Sequence, residues 1–378
     1  MMAIVHFVTI NNFTLIPVTR FIIDTFSLKN SVTVTEVFTQ GQYTFHHVVQ
    51  HTNLSNNKGS VSISQQSFHS KLFKYVRLLR FFLKQKNEKS VIYTPDYQVV
   101  FILMVLKKLG FSGGSKIVYH QFEMVDELEL SGFSRRMWHY VVKQAKQNLE
   151  FAVFPEQNRL EYFTRLAQYP NQNTCLVINS TKIPTESDDK LQLQFPTGSV
   201  IIGHIGSIGM DHYLDSFVEI LKYFKSKKSH YFVVVGNYSD EIKTKLIQAG
   251  NPNLRIFGLV PHKELCKYYE MIDYGLILYK GVSMNFEFCA PNKLYEYISY
   301  GIKVIAHPLK GMMGIEGQGN ALELLDFNSY DFLSQFEKVV NQPNDKKNEI
   351  QMYFSKNLSI DNYLPVLMDG VENILNEK

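Results

Sequence analysis

The sequence predicts an α/β protein of two doubly wound parallel sheets, and three observations carry that expectation. Over residues 200–306, short apolar runs alternate with amphipathic segments, and the runs end in glycine or polar residues. Such alternation marks strands joined by crossover helices, which produce a parallel sheet. At 378 residues, 45% hydrophobic and 20% charged, the chain is long enough for two cores and too apolar for disorder. A polar stretch at 180–194, with Pro184 and Ser187-Asp188-Asp189-Lys190, reads as a linker between the halves.

Taken in order, the first half predicts strands at 4–9, 32–38, 90–93, 116–119, 151–154 and 175–178. Its clearest helices are 70–86, 98–108 and 134–147. In the second half, strands are expected at 200–206, 231–235, 254–257, 274–278 and 304–306. Helices fall at 213–224, 241–249, 264–271 and around Glu296. A last helix spans 362–375. Ligands of such sheets bind beyond the carboxyl ends of the strands.

Bulk properties exclude several classes. A formal net charge of +4 is small for this length, and there is no zinc-finger or RNP signature, so no nucleic-acid partner is expected. Cys175, Cys266 and Cys289 are scattered and form no CxxC pair, which suits reduced thiols in the cytoplasm. His46, His47 and His51 cluster without carboxylate or cysteine partners, so no metal site is expected. The N-terminus lacks a basic region and a cleavage site and reads as a first strand. The longest apolar run, 99–106, falls far short of the roughly 20 residues that span a bilayer.

The most informative stretch is Ala290-Pro291-Asn292-Lys293-Leu294-Tyr295-Glu296-Tyr297-Ile298-Ser299-Tyr300-Gly301, followed by the apolar Val304-Ile305-Ala306. Proline opens a helix at no hydrogen-bonding cost, and Gly301 fits the position that ends one. Asn292, Lys293 and Glu296 then lie near a helix start, where an anion is favoured. This stretch resembles the nucleotide-sugar site of GT-B glycosyltransferases of the retaining group 1 class. The resemblance implies a fold of two Rossmann-like domains facing a central cleft: 1–185 on the acceptor side, 186–358 for the nucleotide sugar, and a terminal helix, 359–378, crossing back. It implies that Glu296 holds ribose hydroxyls and that Lys293 meets the diphosphate.

Other parts of the chain extend the resemblance. Gly203-His204-Ile205-Gly206-Ser207-Ile208-Gly209 looks like the first loop of the donor domain, but lacks the arginine and lysine usual in that class, with Ser207 in the arginine place. The paired glutamates of the class are also incomplete: the position eight before Glu296 is Phe288, with Glu287 one residue away. The donor-binding set expected on this basis is Gly206, Ser207, Gly236, Asn237, Phe257, Tyr279, Lys280, Asn292, Lys293, Leu294 and Glu296. On the first domain, His120 and Glu123 are the catalytic candidates beside the transferred sugar. Asp126 and Glu127 are further carboxylates in that loop. A packed strand-end histidine is the competing reading of His120.

The segment 71–86 forms a helix with Leu72, Tyr75, Val76, Leu79, Phe82 and Leu83 on one face. Lys71, Lys74, Arg77, Arg80 and Lys84 lie opposite, with Phe73, Leu78 and Phe81 among them. A basic face studded with apolar groups suits an anionic lipid surface, though a core helix with a solvated face has the same pattern. The resulting expectation is a cytoplasmic glycosyltransferase, peripheral at the inner membrane face, acting in bacterial cell-surface polysaccharide synthesis (capsule or lipopolysaccharide). It needs no cofactor. Its substrates are a nucleotide diphosphate sugar, with UDP the expected nucleotide, and a glycan or lipid-linked acceptor. Retention and metal independence follow from the resemblance. The rival expectations are a non-catalytic GT-B partner of a transferase and a nucleotide-sugar 2-epimerase.

Overall fold

A computed structural model describes residues 4–10, 16–36, 49–53, 68–84, 90–111, 114–184, 193–315, 317–342 and 346–376. The chain divides into two compact units. The first comprises Met1–Ile178 with Ile360–Lys378, and the second Asn179–Ser359.

The first unit holds a parallel sheet of seven described strands: β1 (Ile4–Thr9), β2 (Ser31–Glu36), β3 (Val49–Asn53), β4 (Ser90–Thr94), β5 (Lys116–His120), β6 (Phe151–Phe154) and β7 (Thr174–Leu176). Their order is β3-β2-β1-β4-β5-β6-β7. The central strands are rich in valine, isoleucine and aromatics and are buried on both faces, as a parallel sheet requires. One face packs against the helices Phe68–Lys84, Tyr97–Lys108 and Gly132–Asn148, through Leu78, Val100, Leu103 and Trp138. The other packs against Pro17–Ser27 and the terminal helix Leu364–Asn376, through Ile22, Phe26, Leu367 and Val371.

The second unit holds β8 (Val200–Ile205), β9 (His230–Val235), β10 (Leu254–Phe257), β11 (Tyr274–Ile277), β12 (Lys303–Ala306) and β13 (Leu322–Leu324), in the order β10-β9-β8-β11-β12-β13. This is the Rossmann order, and the strand sequence reverses between β8 and β11, where a ligand crevice opens. The core on one side of this sheet is built from Phe217, Phe224, Phe232 and Phe336.

Elements expected from sequence appear close to their expected bounds, and the structure adds β3 and β13 and, among other helices, Pro17–Ser27, Gln157–Ala167, Phe332–Val340 and Lys347–Tyr353. Positions 37–38 of the expected second strand, 85–86 of the expected helix 70–86, and the core of the expected linker (185–192) lie outside the described residues, as do His46 and His47. The side chains of Lys71, Phe73 and Lys74 lie outside them too. The helix Phe68–Lys84 is turned relative to the expected wheel. Leu78 is fully buried and Phe82 nearly so, whereas Leu79 and Leu83, expected on the core face, are exposed. Arg77 and Phe81, expected on the outer face, are half-buried. No helix among the described residues is long and apolar enough to cross a membrane.

Candidate functional site

In the second unit a cavity of about 630 Å³ opens at the carboxyl ends of β8 and β9. Its floor is Gly206-Ser207 and Gly236-Asn237, its outer wall is Leu259, Val260, Pro261, His262 and Leu265, and Lys293 closes one side. The floor depends on two glycines. Gly206 and Gly236 both have φ of +149°, and a Cβ on Gly236 would lie 1.9 Å from the Gly206 carbonyl oxygen. The strand ends meet backbone to backbone, held by the Gly206 N–H donating to the Val235 carbonyl at 2.8 Å. Glycine lets a ligand approach main-chain groups closely here.

Lys293 belongs to the helix Asn292–Ser299, and Tyr297 pins that helix to the sheet. The Tyr297 hydroxyl accepts from the Ile205 N–H at 2.7 Å and donates to the Gly203 carbonyl at 3.3 Å. Its ring lies over Gly275, where a Cβ would come within 2.6 Å. Lys293, on the preceding turn, is thereby set at the cavity edge, with Glu296 behind it. Gly301 ends the segment with φ of 75°.

Glu296 is the electrostatic centre of this edge. It is 8% exposed. Its Oε2 accepts from Lys293 Nζ at 2.7 Å and from the Tyr269 hydroxyl, and its Oε1 lies 3.6 Å from His262 Nε2. Lys293 Nζ also donates to the Tyr269 oxygen at 3.3 Å. Burial alone raises a carboxyl pKa. Here the His262 imidazole and the Lys293 ammonium outweigh it and bring Glu296 down to about 2. A buried, ionised carboxylate with this set of donors is built to accept hydrogen bonds.

Of the expected donor-binding residues, Gly206, Ser207, Gly236, Asn237 and Lys293 line this cavity, and Glu296 stands directly behind Lys293. Leu294 does not reach it: the side chain is fully buried in the core. Asn292 is half-buried at the helix start. Phe257 stacks edge-on against Tyr268 at 5.2 Å, and its carbonyl accepts from the Tyr238 hydroxyl. Tyr279 packs on the His212 ring at 4.6 Å. Lys280 lines a separate cavity of about 390 Å³ with Tyr213, Asp215 and Asn328. Glu287 faces Gly281 and lies 3.5 Å from Lys310. Sequence reasoning missed His262 and Tyr269, which lie on the segment after β10 and have no spacing that marks them.

The first unit has its own cavity, about 350 Å³, at the carboxyl ends of β1, β4 and β5. Thr9, Asp96, Tyr97, Glu123, Asp126 and Glu129 are among its lining residues. Asp96 Oδ2 accepts from the Thr9 hydroxyl and the Ile10 N–H, both at 2.7 Å. The loop after β5 is held from below by Arg159, whose Nη1 donates to the Phe122 carbonyl at 2.5 Å. Glu123 is exposed on that loop. Glu127 faces outward to His139 at 3.2 Å.

His120 lies beneath the loop, not on the cavity wall. It is fully buried, its Nδ1 is 2.6 Å from the Tyr93 hydroxyl, and its ring stacks on Phe122 at 3.8 Å. Burial lowers its pKa to about 3, and burial with the neighbouring His212 lowers that of His204 to about 4. Both are neutral when folded, whereas the unfolded chain protonates them below about 6.5. Stability is therefore complete above that pH and falls as pH drops toward the folded values. At pH 5.5 each should cost about 1.4 kcal/mol. Urea titrations at pH 7.5 and 5.5 should show this loss, and it should shrink in His120→Leu whatever that variant's own stability. An unchanged pH dependence would contradict the assignment.

No protein-family model and no curated protein sequence matches the chain. Solved structures do. The Anabaena protein HepE in complex with UDP superposes with a TM-score of 0.70 at 11% identity, covering 98% of this chain and 100% of that one. A glycosyltransferase from Rickettsia africae gives a TM-score of 0.70 at 12% identity over 100% of both chains. WaaG, a glycosyltransferase involved in lipopolysaccharide biosynthesis, gives 0.64 at 13% identity, covering 97% of this chain and 98% of that one. The fold is the GT-B fold. In this GT-B chain the second unit carries the glycine floor and the Lys293–Glu296 edge, and the first carries the carboxylate-lined cavity. Among the described residues no group of histidines, cysteines and carboxylates could hold a metal ion.

Proposed function

We propose that the protein is a glycosyltransferase that moves a sugar from a nucleotide diphosphate sugar to a glycan or lipid-linked acceptor. The observation that carries this is the buried, ionised Glu296 beside Lys293 at the glycine-floored cavity of the second unit. In this reading Glu296 accepts the two ribose hydroxyls. Lys293 takes the diphosphate above the glycine floor, and Leu259, Val260 and Pro261 cover the base. Among the described residues that wall has no acidic side chain to pair with the N1–H and amino group of guanine, which favours a uracil nucleotide. HepE, whose crystal structures hold UDP and UDP-glucose, supports the same choice.

On this reading Glu123 of the first unit, which is exposed and lines the cavity, has the role of acting on the acceptor hydroxyl or the transferred sugar, and Asp96 and Asp126 have that of hydrogen-bonding sugar hydroxyls. His120 packs under the loop and positions it. A retaining, metal-independent transfer needs no strong base, since the leaving diphosphate can take the acceptor proton. The reading is tested by a thermal-shift screen of UDP-, GDP- and dTDP-sugars, because a ligand of the native state raises its stability. The UDP series should raise the midpoint most. No shift with any of them would contradict the proposal.

The acceptor context we propose is cell-surface polysaccharide assembly at a membrane's inner face. The support is the outer surface of the helix Phe68–Lys84, where Leu79, Arg80, Leu83 and Lys84 are exposed together. Phe133, Arg135 and Arg136 lie on the helix Gly132–Asn148 of the same layer, and all three are exposed. Each basic residue near an anionic surface is worth about 1 kcal/mol. Arg80→Glu with Lys84→Glu should therefore weaken sedimentation with anionic vesicles by more than about tenfold, and added salt should weaken the wild type. Equal binding of the wild type to anionic and neutral vesicles would remove the membrane from the account.

A further inference from the structure

The two groups assigned to opposite ends of the nucleotide are bonded to each other. Glu296 Oε2 takes both the Lys293 ammonium at 2.7 Å and the Tyr269 hydroxyl, which fills its two lone-pair positions. Oε1 faces His262 Nε2 at 3.6 Å. Among the described residues lining the cavity, Lys293 is the one lysine or arginine.

We propose that Lys293 acts as a latch on the ribose subsite, so that the protein admits a nucleoside only when a diphosphate draws Lys293 off Glu296. This rests on the nucleotide reading of the cavity. A ribose diol needs an acceptor position on each carboxylate oxygen, and Oε2 has none left while Lys293 is in place. A nucleoside alone supplies hydroxyls but gives the displaced ammonium no anion to meet. A diphosphate supplies that anion. Lys293 can turn toward it from where it stands, because its methylene chain already lies against Gly206, within 3.8 Å of where a Cβ there would be. The ribose hydroxyls then replace it on Oε2, while Tyr269 and His262 keep the carboxylate satisfied. The exchange breaks one buried ion pair and forms contacts to both ends of the ligand, so the two ends bind cooperatively. Lys293 is thereby a specificity-determining residue, selecting nucleoside diphosphates against nucleosides.

The test uses calorimetry with uridine, inorganic pyrophosphate and UDP on the full chain. Saturating pyrophosphate should tighten uridine binding to the wild type by roughly fivefold or more, the lower end of ordinary coupling between sites. Lys293→Met should bind uridine more tightly than the wild type, bind UDP more weakly, and lose the effect of pyrophosphate. A wild type in which pyrophosphate leaves uridine affinity unchanged or lowers it overturns the latch, and this arm needs no variant. A folded Lys293→Met that weakens uridine and UDP alike also overturns it. If the wild type fails to bind UDP at all, the nucleotide reading of the cavity fails first.

Discussion

Gly236→Ala should weaken UDP binding by more than about tenfold and lower the thermal midpoint by several degrees. The added Cβ would sit 1.9 Å from the Gly206 carbonyl oxygen and 2.5 Å from its carbon, at a φ of +149°. Neither obstacle is a flexible side chain, so the ends of β8 and β9 must part. Overpacking of this kind costs about 1–3 kcal/mol, and a strained backbone adds a similar amount. A small shift in the floor changes the surface on which the diphosphate is proposed to lie. Gly258→Ala is the control, since nothing lies within 4 Å of where its methyl would sit and its φ is ordinary. Scanning calorimetry and UDP titration on both variants check this. Wild-type affinity in a folded Gly236→Ala would mean that the glycine floor does not touch the ligand.

Glu296→Ala should weaken UDP binding by about 1.5–3 kcal/mol, the worth of hydrogen bonds to a charged group, or roughly 10- to 150-fold. Glu296→Gln should fall between, because the amide keeps one acceptor and the shape but leaves Lys293 without its counter-charge. The effect should hold across neutral pH. The carboxyl is held at about 2, so its contribution is complete above the ordinary carboxylate range and is lost only as pH falls toward that value. Isothermal titration on folded variants measures this. Unchanged affinity in Glu296→Ala would remove the residue from the site.

How much of this was legible in the sequence varies with how local the cause is. The run from Pro291 to Gly301 could be read because opener, helix and stop are all set by neighbouring residues, and the strand after it by its apolar side chains. The glycine floor was half legible. Glycines after strands mark turns, but the 1.9 Å approach that makes Gly236 obligatory arises between strands that are distant in sequence. His262 and Tyr269 were not read as site residues because the short helical turns that carry them, His262–Glu264 and Cys266–Tyr269, have no marking motif, and their importance comes only from the carboxylate that the Tyr297-anchored helix holds in front of them. His120 was legible as a strand end, but its burial depends on Tyr93 and Phe122, from another strand and from the returning loop. On the helix Phe68–Lys84 the mixed aromatic and basic pattern allows several faces. Packing of Leu78 and Phe82 into the helix layer decides which one is inward. The edge strand β3 reads Val-Gln-His-Thr-Asn, with a single apolar side chain, and β13 has three residues, so neither stands out.

The central claim is that the cavity of the second unit holds a nucleotide diphosphate sugar whose glycosidic bond the protein breaks. Incubating the wild type with a panel of nucleotide sugars, without acceptor, and following the products by chromatography tests it most directly. The account predicts slow release of free UDP and free sugar from one UDP-sugar, with release much reduced in Glu296→Ala. Conversion of the sugar into its epimer with the nucleotide still attached, or tight UDP binding with no release from any donor, would contradict it.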